Sequence, residues 1–250
     1  MTPKLVLIAH DTDSRDDRAS AWAAARGFAL DWRVPAEGDG LPPIEDAAGV
    51  IIYGGKQDVS QKHELTCLLD ELRYVEAALK RETPVLGLCL GGQLLAHALG
   101  QHVGRNPSGA VEYGYYDLVP TKAGAELFGS GLKVLESHWE GWFETPAGAV
   151  ALGSTEHFSQ QAFRYGANAY GFQFHPEATL GALTRWVGRR APARHAMPGA
   201  HAPERQLADN LIHDAPLGGW FHGFLDSWIG AQAPIAQTSI GQTSMMAAAE

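Results

Sequence analysis

Two short stretches carry the residues best suited to covalent chemistry. In residues 84–100 (PVLGLCLGGQLLAHALG), Cys89 stands between Gly87 and Gly91, where an apolar run meets a helix-like run. This Gly-x-Cys-x-Gly spacing is the thiol form of a nucleophile elbow. A tight strand-to-helix turn holds the nucleophile in a strained conformation, and the flanking glycines let neighbouring chains come close. A thiol placed there faces the unpaired N–H groups of a helix N-terminus, which favour the thiolate. The plain alternative is a small buried hydrophobe in a glycine-rich turn. In residues 170–179 (YGFQFHPEAT), an aromatic strand delivers His175, Pro176 sets the turn and Glu177 follows. A histidine takes a thiol proton near neutral pH and returns it to a leaving amine, and a carboxylate orients the ring. Taken alone, this triplet reads first as a strand-end histidine beside a solvated glutamate; together with the elbow it reads as a base and its orienting acid. A third feature, Gly54-Gly55, closes the run GVIIY. If that strand neighbours the one carrying Cys89, a backbone N–H here and that of Leu90 converge on a developing oxyanion. Otherwise the glycines only end a strand.

The elements needed to position these groups follow from periodicity. Residues 4–9, 29–34, 49–53 and 84–88 read as strands, and 14–27, 63–81 and 91–99 as helices, the first closed by Gly27. Such alternation predicts a parallel sheet with helices on both faces. After about residue 103 the expected strands are 111–119, 132–136, 150–152, 161–165 and 170–174, without long helices between them, so antiparallel members join the sheet. Residues 180–190 and 217–229 read as helices, and 191–203 as an exposed loop. The expected organisation is one domain over residues 1–232 with a flexible tail over 233–250.

At 250 residues the chain can bury one sizeable core. A net charge of -9 without a basic cluster argues against nucleic acid or an anionic membrane as partner. No apolar run approaches a membrane span, and His10 and Asp11 come too early for a signal peptide. Two cysteines are too few for a disulfide framework, no Cys/His pair has zinc-like spacing, and a cytoplasmic, reduced protein is the expectation. Cys67 sits in a helical stripe and reads as core. His195, His201 and His213 read as loop histidines rather than a metal set, and His97 and His102 as capping or surface groups. Trp220, Phe221, Phe224, Leu225 and Trp228 recur at helical spacing, either facing the core or awaiting a partner.

The segments GVIIYGG, PVLGLCLGGQ, EYG, ESHWE, LGST and GFQFHPE, spread over roughly residues 45–190, resemble the class I (triad-type) glutamine amidotransferase family, and within it the glutaminase domain of GMP synthase. The resemblance implies a three-layer α/β/α sandwich, flavodoxin-like, with a mixed and mostly parallel sheet. It implies Cys89 as nucleophile, His175 as base and Glu177 as orienting acid. The N–H groups of Gly55 and Leu90 would form the oxyanion hole, and Gln93 with Ser137, His138 and Trp139 would hold the amino-acid end of glutamine. It implies glutamine hydrolysis through a γ-glutamyl thioester, with ammonia passed to a synthetase partner and no cofactor or metal. The chain departs from the family at Lys56, where proline is usual, and at Trp139-Glu140, where Gly-Asp is usual. A stand-alone γ-glutamyl hydrolase or peptidase and a non-catalytic binding module on the same fold are the alternatives.

Overall fold

The computed structural model describes residues 2–232. In chain order the elements are β1 (Lys4–Ile8), α1 (Arg18–Ala25), β2 (Ala29–Arg33), β3 (Ala47–Ile52), α2 (Thr66–Lys80), β4 (Val85–Leu88), α3 (Leu90–Ala98) and β5 (Val103–Arg105). There follow β6 (Glu112–Asp117), β7 (Val119–Pro120), α4 (Lys122–Phe128), β8 (Lys133–His138), β9 (Glu140–Trp142), β10 (Ala149–Ser154), β11 (Ala162–Tyr165) and β12 (Ala169–Phe172). The described residues end with α5 (Leu180–Arg189), α6 (Pro192–His195) and α7 (Pro203–Trp228).

The main sheet has the order β2-β1-β3-β4-β12-β11-β10-β7. Its first five strands are parallel, and β11, β10 and β7 continue it antiparallel. Two apolar clusters cover its faces. One joins Leu5, Leu7, Ile51 and Phe172 to residues of α1, α5 and α7, and the other joins Val6, Ile8, Val50 and Ile52 to residues of α2 and α3. Alternate residues of each parallel strand therefore go to opposite cores, which makes these strands apolar on both sides. This is the three-layer α/β/α sandwich expected from the sequence. Among the described residues no helix is long and apolar enough to cross a membrane.

Several boundaries differ from expectation. Helix α1 begins four residues late because Asp17 caps it, accepting the Ser20 N–H at 2.8 Å. Residues Val59–His63 form a 3₁₀ turn, so α2 starts at Thr66. Helix α7 starts at Pro203 rather than 217 and runs through Pro216. Proline 216 forfeits one backbone bond, but the turns before it are anchored elsewhere: buried Asn210 donates to the Tyr115 hydroxyl at 2.8 Å. His213 therefore lies on a helix and not in a loop, and residues 191–203 include α6. Sequence periodicity also missed α4 and the small sheet β5-β9. Leu217, Phe221, Phe224 and Leu225 are buried, and Trp220 stacks with Phe224 at 5.7 Å, so the aromatic stripe faces the core. The expected tail over 233–250 lies outside the described residues.

Candidate active site

Strands β3, β4 and β12 are hydrogen-bonded neighbours and all run the same way, with Ile52 opposite Gly87 and Phe172 opposite Leu88. The segments that follow them, Gly54-Gly55, Cys89 and His175, therefore emerge together at the carboxyl edge of the sheet, where open α/β sheets bind their ligands. The turn at Cys89 is the sharp one its glycines predict. Cys89 has φ 51° and ψ −108°, and its N–H donates to Phe172 O at 2.8 Å. A Cβ on Gly91 would lie 2.1 Å from Ile52 O, and one on Gly87 would lie 2.4 Å from Gly91 O. Only glycine fits at either position.

His175 donates through Nδ1 to Glu177 Oε1 at 2.8 Å, both side chains being almost wholly buried. The other side of the ring adjoins Cys89. Both side chains flank the bare Cα of Gly54: a Cβ there would sit 2.6 Å from His175 Cε1 and 3.3 Å from Cys89 Cβ. Burial opposes charge on His175, but Glu177 and the Cys89 sulfur outweigh it and hold its pKa well above the usual imidazole value. Trp186 packs against the ring with centroids 4.7 Å apart.

The remaining predicted residues meet in one small pocket, of about 10 Å³, lined by Gly55, Cys89, Leu90, Gln93, Ser137, His138, Trp139 and neighbours. Leu90 is the first residue of α3, so its N–H has no partner one turn earlier. Gln93 is buried and donates to Glu140 O at 2.8 Å and Gln173 Oε1 at 3.2 Å. Trp139 donates to Asp58 at 2.8 Å, with Arg194 3.9 Å and Arg105 5.4 Å from its ring. His138 departs from the role expected of it. Both its ring nitrogens point into the protein, Nδ1 to Glu140 O at 2.8 Å and Nε2 to Glu112 at 3.1 Å and Glu136 at 3.3 Å. A buried imidazole between two carboxylates is needed where it is, and its ring has no free nitrogen for a substrate. Despite its burial, those carboxylates raise His138 to about 10, while burial lifts Glu136 to about 7. Glu112, Glu136 and His138 are close enough to share a metal ion, but ion pairing and the Thr155 hydroxyl on Glu112 at 2.6 Å account for the cluster.

Three supporting residues were not singled out in the motifs. Gln173, two places before His175, donates to Cys89 Sγ at 3.6 Å. His10, just past β1, contacts Gly54 O through Nδ1 at 3.1 Å and Glu71 through Nε2 at 2.8 Å. Both partners are acceptors, so His10 making both bonds is an imidazolium. Arg18 grips the His-Pro-Glu turn, its backbone N–H donating to Glu177 O at 2.9 Å and its guanidinium to Pro176 O and Ala178 O. Only the position of His10 at a strand end hinted at a place on this edge.

The class-I glutamine amidotransferase family model matches residues 31–187. Over 189 residues the chain is 31% identical to the glutamine amidotransferase-like protein YfeJ of Salmonella typhimurium, covering 71% of this chain and 77% of that one. It is 30% identical over 220 residues to a GMP synthase of Aeropyrum pernix, covering 82% of this chain but only 39% of the enzyme. Among solved structures, a glutamine amidotransferase from Methylobacillus flagellatus superposes with a TM-score of 0.81 at 25% identity, covering 92% and 95% of the two chains.

Proposed function

This chain belongs to the class I glutamine amidotransferase family, and from that premise we propose that it hydrolyses the γ-carboxamide of glutamine through Cys89. The observation that carries the reading is a positive-φ cysteine at the mouth of a helix, beside an imidazole held by Glu177 at 2.8 Å. His175 takes the thiol proton as Sγ bonds to the γ-carbon. The N–H groups of Gly55 and Leu90 meet the oxyanion, Gln173 steadies the sulfur, and the C–N bond breaks as His175 passes its proton to the leaving amine. Water, deprotonated by the same ring, then releases glutamate. With glutamine the amine is ammonia, which a synthetase partner would receive, a reading supported by the similarity to a glutamine-hydrolyzing GMP synthase.

The test is glutamate release from glutamine together with labelling by diazo-oxo-norleucine. In Cys89→Ala, turnover falls by several orders of magnitude and labelling is lost. Label appearing equally on Cys67, which lies partly buried on α2, would refute the nucleophile assignment.

A further inference from the structure

The peptide joining Gly54 to Gly55 carries an N–H group expected to meet the oxyanion, yet it lies between two residues that turn about φ and ψ with little resistance. The chain on either side is pinned. The Tyr53 N–H donates to Ile8 O at 2.9 Å, and Tyr53 O accepts the Gly91 N–H at 3.2 Å. Beyond the glycines, Gln57 donates to His10 O at 3.2 Å. Residue 56 is lysine, so no proline ring restrains Gly55 from that side. Among the described residues the Gly55 N–H donates to no protein acceptor.

A trans peptide carries its carbonyl and its N–H on opposite edges. Whatever holds Gly54 O therefore also sets where the Gly55 N–H points. His10 holds it, with Nδ1 3.1 Å from Gly54 O. The ring is buried and tied at its other end to Glu71 of α2, 2.8 Å from Nε2, so it cannot swing away. It also packs against the bare Cα of Gly55, where a Cβ would sit 2.7 Å from His10 Cβ and 2.8 Å from Cγ. With acceptors on both nitrogens the imidazole is a cation, and a charged donor grips a carbonyl about twice as firmly as a neutral one. A buried ion pair brings little net stability over apolar packing, and this one is aimed at a single carbonyl of the candidate site. Gly55 shares the small pocket with Cys89 and Leu90, and a Cβ on Gly54 would stand 3.3 Å from Cys89 Cβ.

We propose that His10 and Glu71 form a positioning dyad: by holding Gly54 O they keep the Gly55 N–H aimed at the oxyanion that forms beside Cys89. The inference rests on the hydrolase reading of Cys89 and deepens it by assigning how one of its oxyanion donors is kept in place. Without the dyad the peptide turns over, because rotation about two glycines is easier than leaving the carbonyl unpaired against the interior. The carbonyl oxygen would then face the oxyanion, replacing an attraction by a repulsion.

Substitution separates the two ends of the ring. Glutamine places its amide nitrogen as many bonds from Cβ as Nε2 is, and so reaches residue 71 but not Gly54 O. Asparagine places its nitrogen where Nδ1 is, and so reaches Gly54 O. Each is made together with Glu71→Gln, so that no carboxylate is left buried and unpaired, and near-UV circular dichroism checks the fold. Glu71→Gln alone leaves a neutral His10 donating from Nδ1 and should hold kcat for glutamate release from glutamine within about tenfold of wild type. Adding His10→Gln should lower kcat by a further hundredfold to thousandfold, roughly the weight of one oxyanion donor, with KM within about threefold. With His10→Asn instead, kcat should lie within about tenfold of the Glu71→Gln level. Alkylation of Cys89 by iodoacetamide passes through no oxyanion, so its rate should stay within about twofold across all three. The single variants His10→Gln and His10→Asn repeat the comparison with Glu71 in place. Equal kcat in the glutamine and asparagine variants overturns the dyad and leaves the hydrolase reading intact. So does a joint fall of kcat and alkylation, or a rise in KM with kcat kept. A wild type that releases no glutamate overturns the hydrolase reading, and the dyad with it.

Discussion

Gly54→Ala is the sharpest probe of the candidate site, because one methyl group reports directly on the placement of His175. Gly54 does not have a positive φ, so alanine adopts its backbone without strain. The new Cβ would stand 2.6 Å from His175 Cε1, whereas an ordinary contact begins at 3.4 Å, so ring or loop must shift by about 0.8 Å. The ring cannot simply tip away, being packed by Trp186 on one side and tethered to Glu177 on the other. A misplacement of ~1 Å costs about a hundredfold in rate, or about 2.7 kcal/mol of barrier. We expect kcat/KM for glutamate release and the rate of Cys89 alkylation by iodoacetamide to fall together by that factor. Near-UV circular dichroism and the midpoint of a urea melt should stay close to wild type. Gly188→Ala, at a position with nothing within 4 Å, is the control that changes neither. If folded Gly54→Ala retains kcat/KM within threefold of wild type, His175 is not the base acting on Cys89.

Two buried ionisable groups yield predictions that depend on pH. His10 is fully buried, and although burial opposes its charge, Glu71 raises its pKa above the usual value. The stabilisation this brings is complete below about pH 6.5 and is lost as pH rises through the raised value. Glu71→Gln should therefore cost about 3 kcal/mol near pH 6, with the gap to wild type narrowing at alkaline pH. A gap in urea melts that ignores pH would refute the imidazolium. Glu136, lifted by burial to about 7, is favoured in its neutral form, so its contribution is greatest below about pH 4.5 and fades as pH climbs toward 7. Gln stays neutral throughout. Glu136→Gln should gain on wild type between pH 5 and pH 8 by on the order of 2 kcal/mol, discounting the shift for the His138 charge beside it. Urea melts at the two pH values decide it, and an unchanged difference would mean that Glu136 is ionised at both.

What could be read from the sequence is what local rules decide. Glycines at 87 and 91 dictate the turn at Cys89 because any side chain there would strike backbone, and Pro176 sets the spacing of His175 from Glu177. Apolar runs alternating with helical stripes force parallel strands, and parallel neighbours bring their following segments to one edge. The rest depends on residues far apart in the chain. His10 meets Glu71 across 61 positions, Gln93 meets Gln173 across 80, and the Arg18 guanidinium reaches Pro176 across 158. No periodicity encodes such pairings, since each becomes visible only when separate elements pack side by side. For the same reason Pro216 misled the helix boundary, because tertiary bonds from Asn210 outweigh one lost backbone bond. The ion pairs of the cleft are likewise a tertiary property: Asp16 meets Arg185 across 169 positions and Asp13 meets Arg189 across 176.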